Sequence, residues 1–342
     1  MQQVGIGVKN MYESADWYVK VLGMDIRIFE DRGEAALMTP HTGGEVFERN
    51  ATLRMNLNGG AGIEVWQFES RDPQGPEQAV QIGDYGVNLI QYKVKNLDAA
   101  VARIKADHKV DITIVESPNG RKAAYASDPW GNAFRLIESK NWFLQPDNAH
   151  GGGVCGVLIG CSDIDASLKL YRDVLGYSNV VYDETGDFED LKVTQPDLGK
   201  ARRVLLSKPQ SNGAFSELFG EGEIELIQTL ERTGNQIFKN RFWGDLGYIH
   251  LCFDISGLNE LEEATTAAGF AFTVNSQESF EMTQAAGQFA YIEDPDGTLI
   301  EFVETHKVPV IEKLGLYLNL KPNRKELPRW MVKSLKFNKV KG

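Results

Sequence analysis

The stretch VGIGVKNMYESADWYVKVLGM, from Val4 to Met24, recurs as VLIGCSDIDASLKLYRDVLGY, from Val157 to Tyr177. In each copy a run of five or six apolar residues predicts a strand, and the residues after it place apolar side chains at helical spacing. We expect Ser14 and Ser167 to precede these helices. We expect Gly23 and Gly176 to end them, because glycine accepts the left-handed conformation found after the last helical turn. The chain therefore carries two copies of one strand-helix unit.

A second pair of repeats lies between and after the first pair. The segment GVNLIQYKVKNLDAAVARIKAD at 86–107 corresponds to GYIHLCFDISGLNELEEATTAAG at 247–269. Further β-type runs follow each of the four strand-helix starts, so each unit is predicted to be βαβββ. In units two and four the sequence Asp-Pro-x-Gly, at Asp128 and Asp294, predicts the hairpin turn between the last two strands.

Four strands are too few to enclose a core, so the units are expected to pair. The predicted fold is α+β, with four βαβββ modules forming two eight-stranded curved open β-barrels whose concave faces are natural cavities. We divide the chain into a first domain, 1–140 (modules 1–68 and 85–140), a second domain, 153–305 (modules 153–230 and 246–305), and a basic tail, 306–342, packed on the surface.

Composition limits the function and the compartment. The formal net charge of −12 argues against a nucleic-acid partner, and the apolar runs are far too short to cross a membrane. Cys155, Cys161 and Cys252 show no CxxC spacing, so free thiols in a reducing compartment are expected. No secretory leader is recognisable, and we predict a cytoplasmic protein, monomeric or weakly dimeric, whose partner is a small-molecule substrate.

The tail is charged oppositely to the rest of the chain. Between Thr305 and Gly342 it contains ten Lys and Arg residues and two Glu residues. We expect it to dock on the acidic body that precedes it.

The sequence resembles the vicinal oxygen chelate superfamily, which includes glyoxalase I, bleomycin-binding proteins and extradiol dioxygenases. The likeness rests on Tyr-x-x-Val-Leu-Gly at Tyr18 and Tyr171, and on the Asp-Pro-x-Gly turns at Asp128 and Asp294. It covers about 300 residues and indicates the fold more strongly than the reaction, because one scaffold can host many activities.

The resemblance implies two metal-ligand positions in each unit, one early in the first strand and one in the middle of the last strand. Transferred to this chain, the first position falls on Gln3, Leu89, Gly156 and His250. The second falls on Glu64, Arg135, Glu225 and Glu301. If unit one faces unit four, the ligands are Gln3, Glu64, His250 and Glu301, a set similar to one known in glyoxalase I. If unit three faces unit four instead, the alternative ligand is Glu225, with His250 and Glu301.

Elementary chemistry agrees with these positions. Glu64, Glu225 and Glu301 each have apolar neighbours on both sides in a predicted strand, so each carboxylate faces away from those neighbours. A buried carboxylate needs a counter-charge, and a divalent ion such as Zn, Ni, Co, Mn or Fe(II) supplies one while accepting imidazole and carboxylate ligands. Trp66 and Cys252 share faces with Glu64 and His250, and we predict that they line the substrate site.

The predicted function is a divalent-metal-dependent, glyoxalase-like lyase or isomerase. It would act through a metal-stabilised enediolate on a small α-hydroxycarbonyl or thiohemiacetal substrate, with Glu301 and Glu64 as the catalytic carboxylates. Two alternatives stay open at this point. One is a metal-free binding protein of the bleomycin-resistance type, and the other is a non-heme iron dioxygenase with an atypical site.

Overall fold

The computed structural model describes residues 1–210, 213–276, 280–282, 285–311, 316–320 and 326–341. The four predicted βαβββ units are all present within them. Unit one contains β1 (Gln3–Gly7), α1 (Met11–Leu22), β2 (Ile26–Glu34), a 3-10 helix (Ala36–His41), β3 (Glu48–Met55) and β4 (Gly62–Phe68). Unit two contains β5 (Gly86–Val94), α2 (Leu97–His108), β6 (Ile112–Glu116), β7 (Lys122–Ser127) and β8 (Ala133–Glu138).

Units three and four follow the same plan with short additions. Unit three contains β9 (Gly151–Gly160), α3 (Ile164–Leu168) continued by a π-helical stretch (Lys169–Val174), β10 (Asn179–Gly186), α4 (Glu189–Lys192), β11 (Ala201–Lys208), α5 (Ser216–Phe219) and β12 (Gly222–Thr229). Unit four contains β13 (Gly247–Asp254), α6 (Leu258–Ala267), β14 (Val274–Asn275), β15 (Phe280–Met282), β16 (Ala285–Glu293) and β17 (Leu299–Ile311). The tail adds β18 (Leu316–Asn319), α7 (Arg329–Ser334) and a 3-10 helix (Leu335–Asn338).

The strands form two curved open sheets, which confirms the predicted fold class. The first sheet has the order β14-β16-β17-β13-β1-β4-β3-β2, with β15 and β18 added at its side. The second has the order β10-β11-β12-β9-β5-β8-β7-β6. The first sheet therefore joins unit one to unit four, and the second joins unit two to unit three.

Each sheet depends on one antiparallel contact between distant parts of the chain. In the first sheet β1 pairs with β13, with Gly5 opposite His250. In the second sheet β5 pairs with β9, with Leu89 opposite Leu158. Each of the segments 1–140 and 153–305 thus contributes one unit to each sheet.

Two tyrosines tie the two sheets together. The hydroxyl of Tyr18, on α1 of the first sheet, donates to Asp128 in the turn between β7 and β8 of the second sheet at 2.6 Å. In the same way Tyr171 donates to Asp294, in the turn between β16 and β17, at 2.9 Å. The other oxygen of Asp294 accepts the backbone N–H of Thr298, and burial raises the pKa of this carboxyl to about 6. The two motifs that carry the family resemblance are therefore hydrogen-bonded partners.

The helix starts differ from the prediction. Helix α1 begins one turn earlier than expected, because Asn10 is its N-cap and accepts the backbone N–H of Glu13. Asp163 caps α3 in the same way. Ser14 and Ser167 lie inside the helices and are completely buried. The prediction that they precede the helices was wrong, because Asn and Asp cap a helix at least as well as Ser does.

Part of the basic tail covers the first sheet. Leu327, Val332 and Leu335 are buried and belong to the same apolar cluster as Ile26 and Phe29 of β2. Nearby, the ammonium group of Lys339 lies 2.7 Å from the carboxylate of Asp25. In the described part of the chain, no helix is both long and apolar enough to span a bilayer.

Close backbone approach explains two glycines at equivalent ends of β1 and β9. A Cβ atom on Gly7 would overlap the carbonyl oxygen of Asp245, and one on Gly160 would overlap that of Asp84. Both obstacles are main-chain atoms, so an added methyl group must displace a loop against the sheet.

We expect Gly160→Ala to lower the free energy of unfolding by about 1–3 kcal/mol, because the new methyl group overpacks a buried contact. Urea unfolding of the whole chain measures this loss. Gly186→Ala is the matched control, since Gly186 lies in the same sheet and a Cβ there meets nothing within 4 Å. Equal stability of the two variants would contradict this explanation of Gly160.

Candidate metal centre

Four neighbouring strands of the first sheet bring the predicted ligand residues together. The strand order β17-β13-β1-β4 places Glu301, His250, Gln3 and Glu64 on consecutive strands. One potential ligand atom from each of Glu64, His250 and Glu301 lies within 4.8 Å of the others. These three residues are separated widely in the sequence, and the pairing of unit one with unit four makes them neighbours.

The contacts within this group are short. Nε2 of His250 lies 3.1 Å from Oε2 of Glu301 and 3.4 Å from Oε2 of Glu64. Nε2 of Gln3 donates to Oε2 of Glu64 at 3.1 Å and approaches Oε2 of Glu301 at 3.5 Å. The side-chain amide of Gln3 therefore holds the two carboxylates on either side of the imidazole.

The imidazole of His250 is fixed by packing. Its ring is completely buried, stacks on Trp243 with an interplanar angle of 15°, and meets Tyr291 edge to face at 83°. The ring also lies over Gly5, where a Cβ atom would come within 2.6 Å of Nδ1. Among the described residues, none forms a well-aligned hydrogen bond with either ring nitrogen. A buried polar atom without such a partner is unusual and marks a place for a ligand.

The electrostatics of the group favour a cation. Burial by itself lowers the pKa of His250, but the charges of Glu301 and Glu64 outweigh this effect and raise the pKa to about 9. One imidazole nitrogen, two carboxylates and a side-chain amide are donors that divalent transition metals accept. Gln3, Glu64, His250 and Glu301 thus fit a divalent ion in both donor type and charge.

A cavity of about 430 Å³ opens onto this group. Its wall includes Glu64, Glu301, Trp66, Trp243 and Tyr291. This volume is within the range of small-molecule sites. The structure thus places Trp66 on the cavity wall, where the sequence predicted a substrate contact.

Cys252 is buried beside Glu301. It is paired in register with Glu301, but its side chain is completely buried and its thiol donates to the side-chain oxygen of Gln2 at 3.1 Å. Burial and the charge of Glu301 raise the pKa of this thiol well above its ordinary value. Cys252 is not one of the described residues that line the cavity. Its contact with a substrate stays a prediction.

Two aromatic residues of the site were not identified from the sequence. Trp243 lies in the loop before β13, where no periodic pattern points to a buried position. Tyr291 is the register partner of Glu301 on β16, just as Tyr125 is the partner of Arg135 on β7. Burial and the charge of Glu301 raise the pKa of Tyr291 well above its ordinary value. Strand alternation combined with the repeat would have indicated Tyr291, whereas no signal indicates Trp243.

The equivalent centre of the second sheet is occupied by ion pairs. Glu225 is completely buried and lies 2.8 Å from Arg135 and 2.5 Å from Arg203, and it also accepts the hydroxyl of Tyr182. Arg203 contacts Asp190 at 2.7 Å as well. Burial acts to raise the pKa of Glu225, but the two guanidinium groups outweigh it and lower the pKa to about 2.

The alternative ligand set is therefore not assembled. Glu225 belongs to the second sheet, whereas His250 and Glu301 belong to the first sheet. The pairing of units three and four on which that set depended is not the pairing found. The carboxylate of Glu225 instead forms ion pairs with Arg135 and Arg203.

We expect Glu225→Gln to lower the free energy of unfolding by about 3–5 kcal/mol at neutral pH, because Arg135 and Arg203 would lose the charge that compensates their burial. Because the folded-state pKa is depressed, the contribution of Glu225 is present above the ordinary value of 4.5 and is lost as the pH falls towards 2. Urea unfolding at neutral and acidic pH measures both effects.

Glu184→Gln, on the exposed strand β10, is the control for Glu225→Gln and should change stability by less than about 0.5 kcal/mol. A loss of stability for Glu225→Gln that stays constant down to pH 2 would show that the charge of Glu225 is not the cause.

Comparison with known structures supports the architecture. Glyoxalase I from Zea mays aligns with a TM-score of 0.53 and 17% identity, over 89% of this chain and 92% of that protein. A single-residue variant of the same Zea mays enzyme gives a TM-score of 0.54 and 15% identity, over 89% and 93% of the two chains. A presumed dioxygenase from Bacillus subtilis subsp. subtilis str. 168 gives 0.57 and 16%, over 89% and 84%. At these identities the likeness establishes the fold alone.

Sequence comparison identifies the family. A search of curated proteins gave no match. The family model of the Glyoxalase/Bleomycin resistance protein/Dioxygenase superfamily matches residues 1–136 and 156–302, which is well over half of the chain. The two matched regions cover most of each of the four units and contain Gln3, Glu64, His250 and Glu301. The chain belongs to the Glyoxalase/Bleomycin resistance protein/Dioxygenase superfamily.

Proposed function

We propose that this protein is a divalent-metal-dependent, glyoxalase-like lyase or isomerase that acts on a small α-hydroxycarbonyl or thiohemiacetal substrate. The observation that carries the proposal is the convergence of Glu64, His250 and Glu301 at a cavity, with ligand atoms within 4.8 Å of one another. Superfamily membership supports the proposal at the level of the scaffold.

Gln3, Glu64, His250 and Glu301 would hold the metal. When bound, a divalent ion supplies Lewis-acid stabilisation of negative charge on substrate oxygens. The stacking of Trp243 and the space above Gly5 keep the imidazole of His250 in one orientation. The amide of Gln3 bridges the two carboxylates and so holds them in place.

The carboxylates are also suited to moving a proton. Glu64 and Glu301 both reach the cavity, with 9% and 11% of their side-chain surfaces exposed. One of them would take the proton from the carbon that bears the hydroxyl group and deliver it to the neighbouring carbonyl carbon, acting first as base and then as acid. The hydroxyl proton would pass to the former carbonyl oxygen, so the hydroxyl and carbonyl groups exchange places. Both protons are conserved, and the overall change is an isomerisation. Trp66 and Tyr291 would exclude water from this transfer.

Glu301→Gln tests the metal centre. We expect this variant to lose most of its bound metal, because it removes one negative charge and replaces a carboxylate with a weaker amide donor, and to lose more than about 100-fold in activity. The measurement is elemental analysis of the purified protein, followed by an assay with methylglyoxal and a thiol. Glu48→Gln, at an exposed position of β3 in the same sheet, is the matched control and should keep one equivalent of metal.

The outcomes of this test separate the candidate functions. Wild-type protein without a divalent metal, after purification and after incubation with Zn, Ni, Co, Mn or Fe(II), would contradict the proposal and favour a binding protein. A full equivalent of metal together with substrate-dependent oxygen uptake would favour a dioxygenase instead.

Gly5→Ala tests the packing that orients the imidazole. We expect at least about a tenfold loss of metal affinity, because the new methyl group displaces the ring of His250. Titration of the apoprotein with Zn measures this change. Gly33→Ala is the control, since a Cβ at Gly33 meets nothing within 4 Å. Unchanged affinity in Gly5→Ala would show that the position of the ring is not set by Gly5.

A further inference from the structure

The cavity at the metal centre also contains a buried guanidinium group, that of Arg49. Arg49 lies on β3 opposite Phe68 of β4, and further along the same strand pair Ala51 faces Trp66 and Leu53 faces Glu64. Alternate residues of a strand share a face, so Arg49 is on the same face of the sheet as the metal-centre residues. Only 9% of the residue is exposed.

One side of this guanidinium is already held in place. Nη1 donates to the backbone oxygen of Asp31 at 2.7 Å, and Nη2 lies 2.8 Å from the carboxylate of Asp31. No other described residue accepts a hydrogen bond from Arg49 or forms an ion pair with it. Arginine has five N–H donors in a fixed plane, so donors remain for a ligand that enters the cavity.

In the second sheet an arginine lies close enough to the central carboxylate to form an ion pair with it. There Leu205 faces Glu225 as Leu53 faces Glu64, and Arg203 is only two residues from Leu205 on the strand. At that spacing Arg203 reaches Glu225 and neutralises it. In the first sheet Ala51 occupies the equivalent position, and Arg49 stands two residues further along. Arg49 therefore pairs with Asp31 at the cavity wall and does not neutralise Glu64.

The distance between Arg49 and the metal centre sets the length of a ligand that could contact both of them. Phe68 is four residues from Glu64 on β4, which corresponds to about 13 Å along the strand. Trp66 lies between them, and Phe289 and Tyr291 also line the cavity. We infer that the substrate is an elongated anion, with its metal-binding oxygens at Glu64 and Glu301, an apolar middle part against Trp66, and a carboxylate or similar anionic group bound by Arg49. This inference rests on the proposed function, because it assumes that a metal ion occupies the centre.

Hydroxamates of graded length test the inference without depending on turnover, because the hydroxamate group offers two oxygens to a metal ion. The probes are the monohydroxamates of the linear dicarboxylic acids from succinic to suberic acid, each compared with the uncharged hydroxamate of the same chain length. Calorimetric titration of the zinc-loaded full-length protein gives the affinities. We expect the carboxylated probe to bind at least about tenfold more tightly than its neutral counterpart at one preferred length.

Substitutions assign the effect to the arginine. Arg49→Met should abolish the advantage of the carboxylate while leaving the neutral probes unchanged, and Arg49→Lys should keep part of the advantage. Arg202→Met, on β11 of the second sheet, is the matched control and should behave as wild type. No advantage at any length in wild type, or an advantage that survives Arg49→Met, would overturn the inference while leaving the metal centre intact. A protein that binds neither zinc nor the neutral probes would overturn the proposed function and this inference together.

Discussion

The antiparallel pairing of β1 with β13 is the constraint on which the candidate site depends. It joins the first unit of the chain to the last and sets Gly5 opposite His250. The parallel pairings of β1 with β4 and of β13 with β17 then bring Glu64 and Glu301 to either side. The imidazole sits over the glycine because no side chain competes for that space. A slip of one residue in this register would turn the ligands to the opposite face of the sheet.

The two sheets show two solutions to the problem of a buried carboxylate. In the second sheet, Arg135 and Arg203 neutralise Glu225, and the centre is filled by protein. In the first sheet no described arginine reaches Glu64 or Glu301, and the compensating charges are the imidazole of His250 and, in our proposal, a metal ion. In our proposal, the centre of the first sheet is therefore catalytic, and the ion pairs in the centre of the second sheet stabilise the fold. The tyrosine-aspartate contacts between Tyr18 and Asp128, and between Tyr171 and Asp294, hold these two centres in one structure.

The internal repeat and the family resemblance made the four units and the main site residues predictable from the sequence. Four βαβββ units follow from the matched apolar runs, and the positions of Glu64, His250 and Glu301 follow from the resemblance. The strands β2 and β10 were expected only from the count of strands in each unit, because their sequences IRIFEDRGE and NVVYDETG are polar and partly exposed, so that no strict alternation marks them. Helix starts were misplaced, because Asn10 and Asp163 compete with Ser14 and Ser167 as caps.

Other features could not have been predicted from local sequence. The choice between pairing unit one or unit three with unit four depends on contacts across the whole chain, and the ligand residues alone did not decide it. Trp243 comes from a loop whose path is set by tertiary packing. The different roles of Arg49 and Arg203 depend on a two-residue difference in their positions along equivalent strands, which only the strand pairing reveals.

We propose that one of the two pseudo-equivalent centres binds metal and that the other does not. Anomalous diffraction from crystals grown with Zn distinguishes the two centres. We expect a single strong peak among Glu64, His250 and Glu301, and none beside Glu225. A peak at Glu225, or no peak at His250 in crystals fully loaded with Zn, would show that this assignment is wrong.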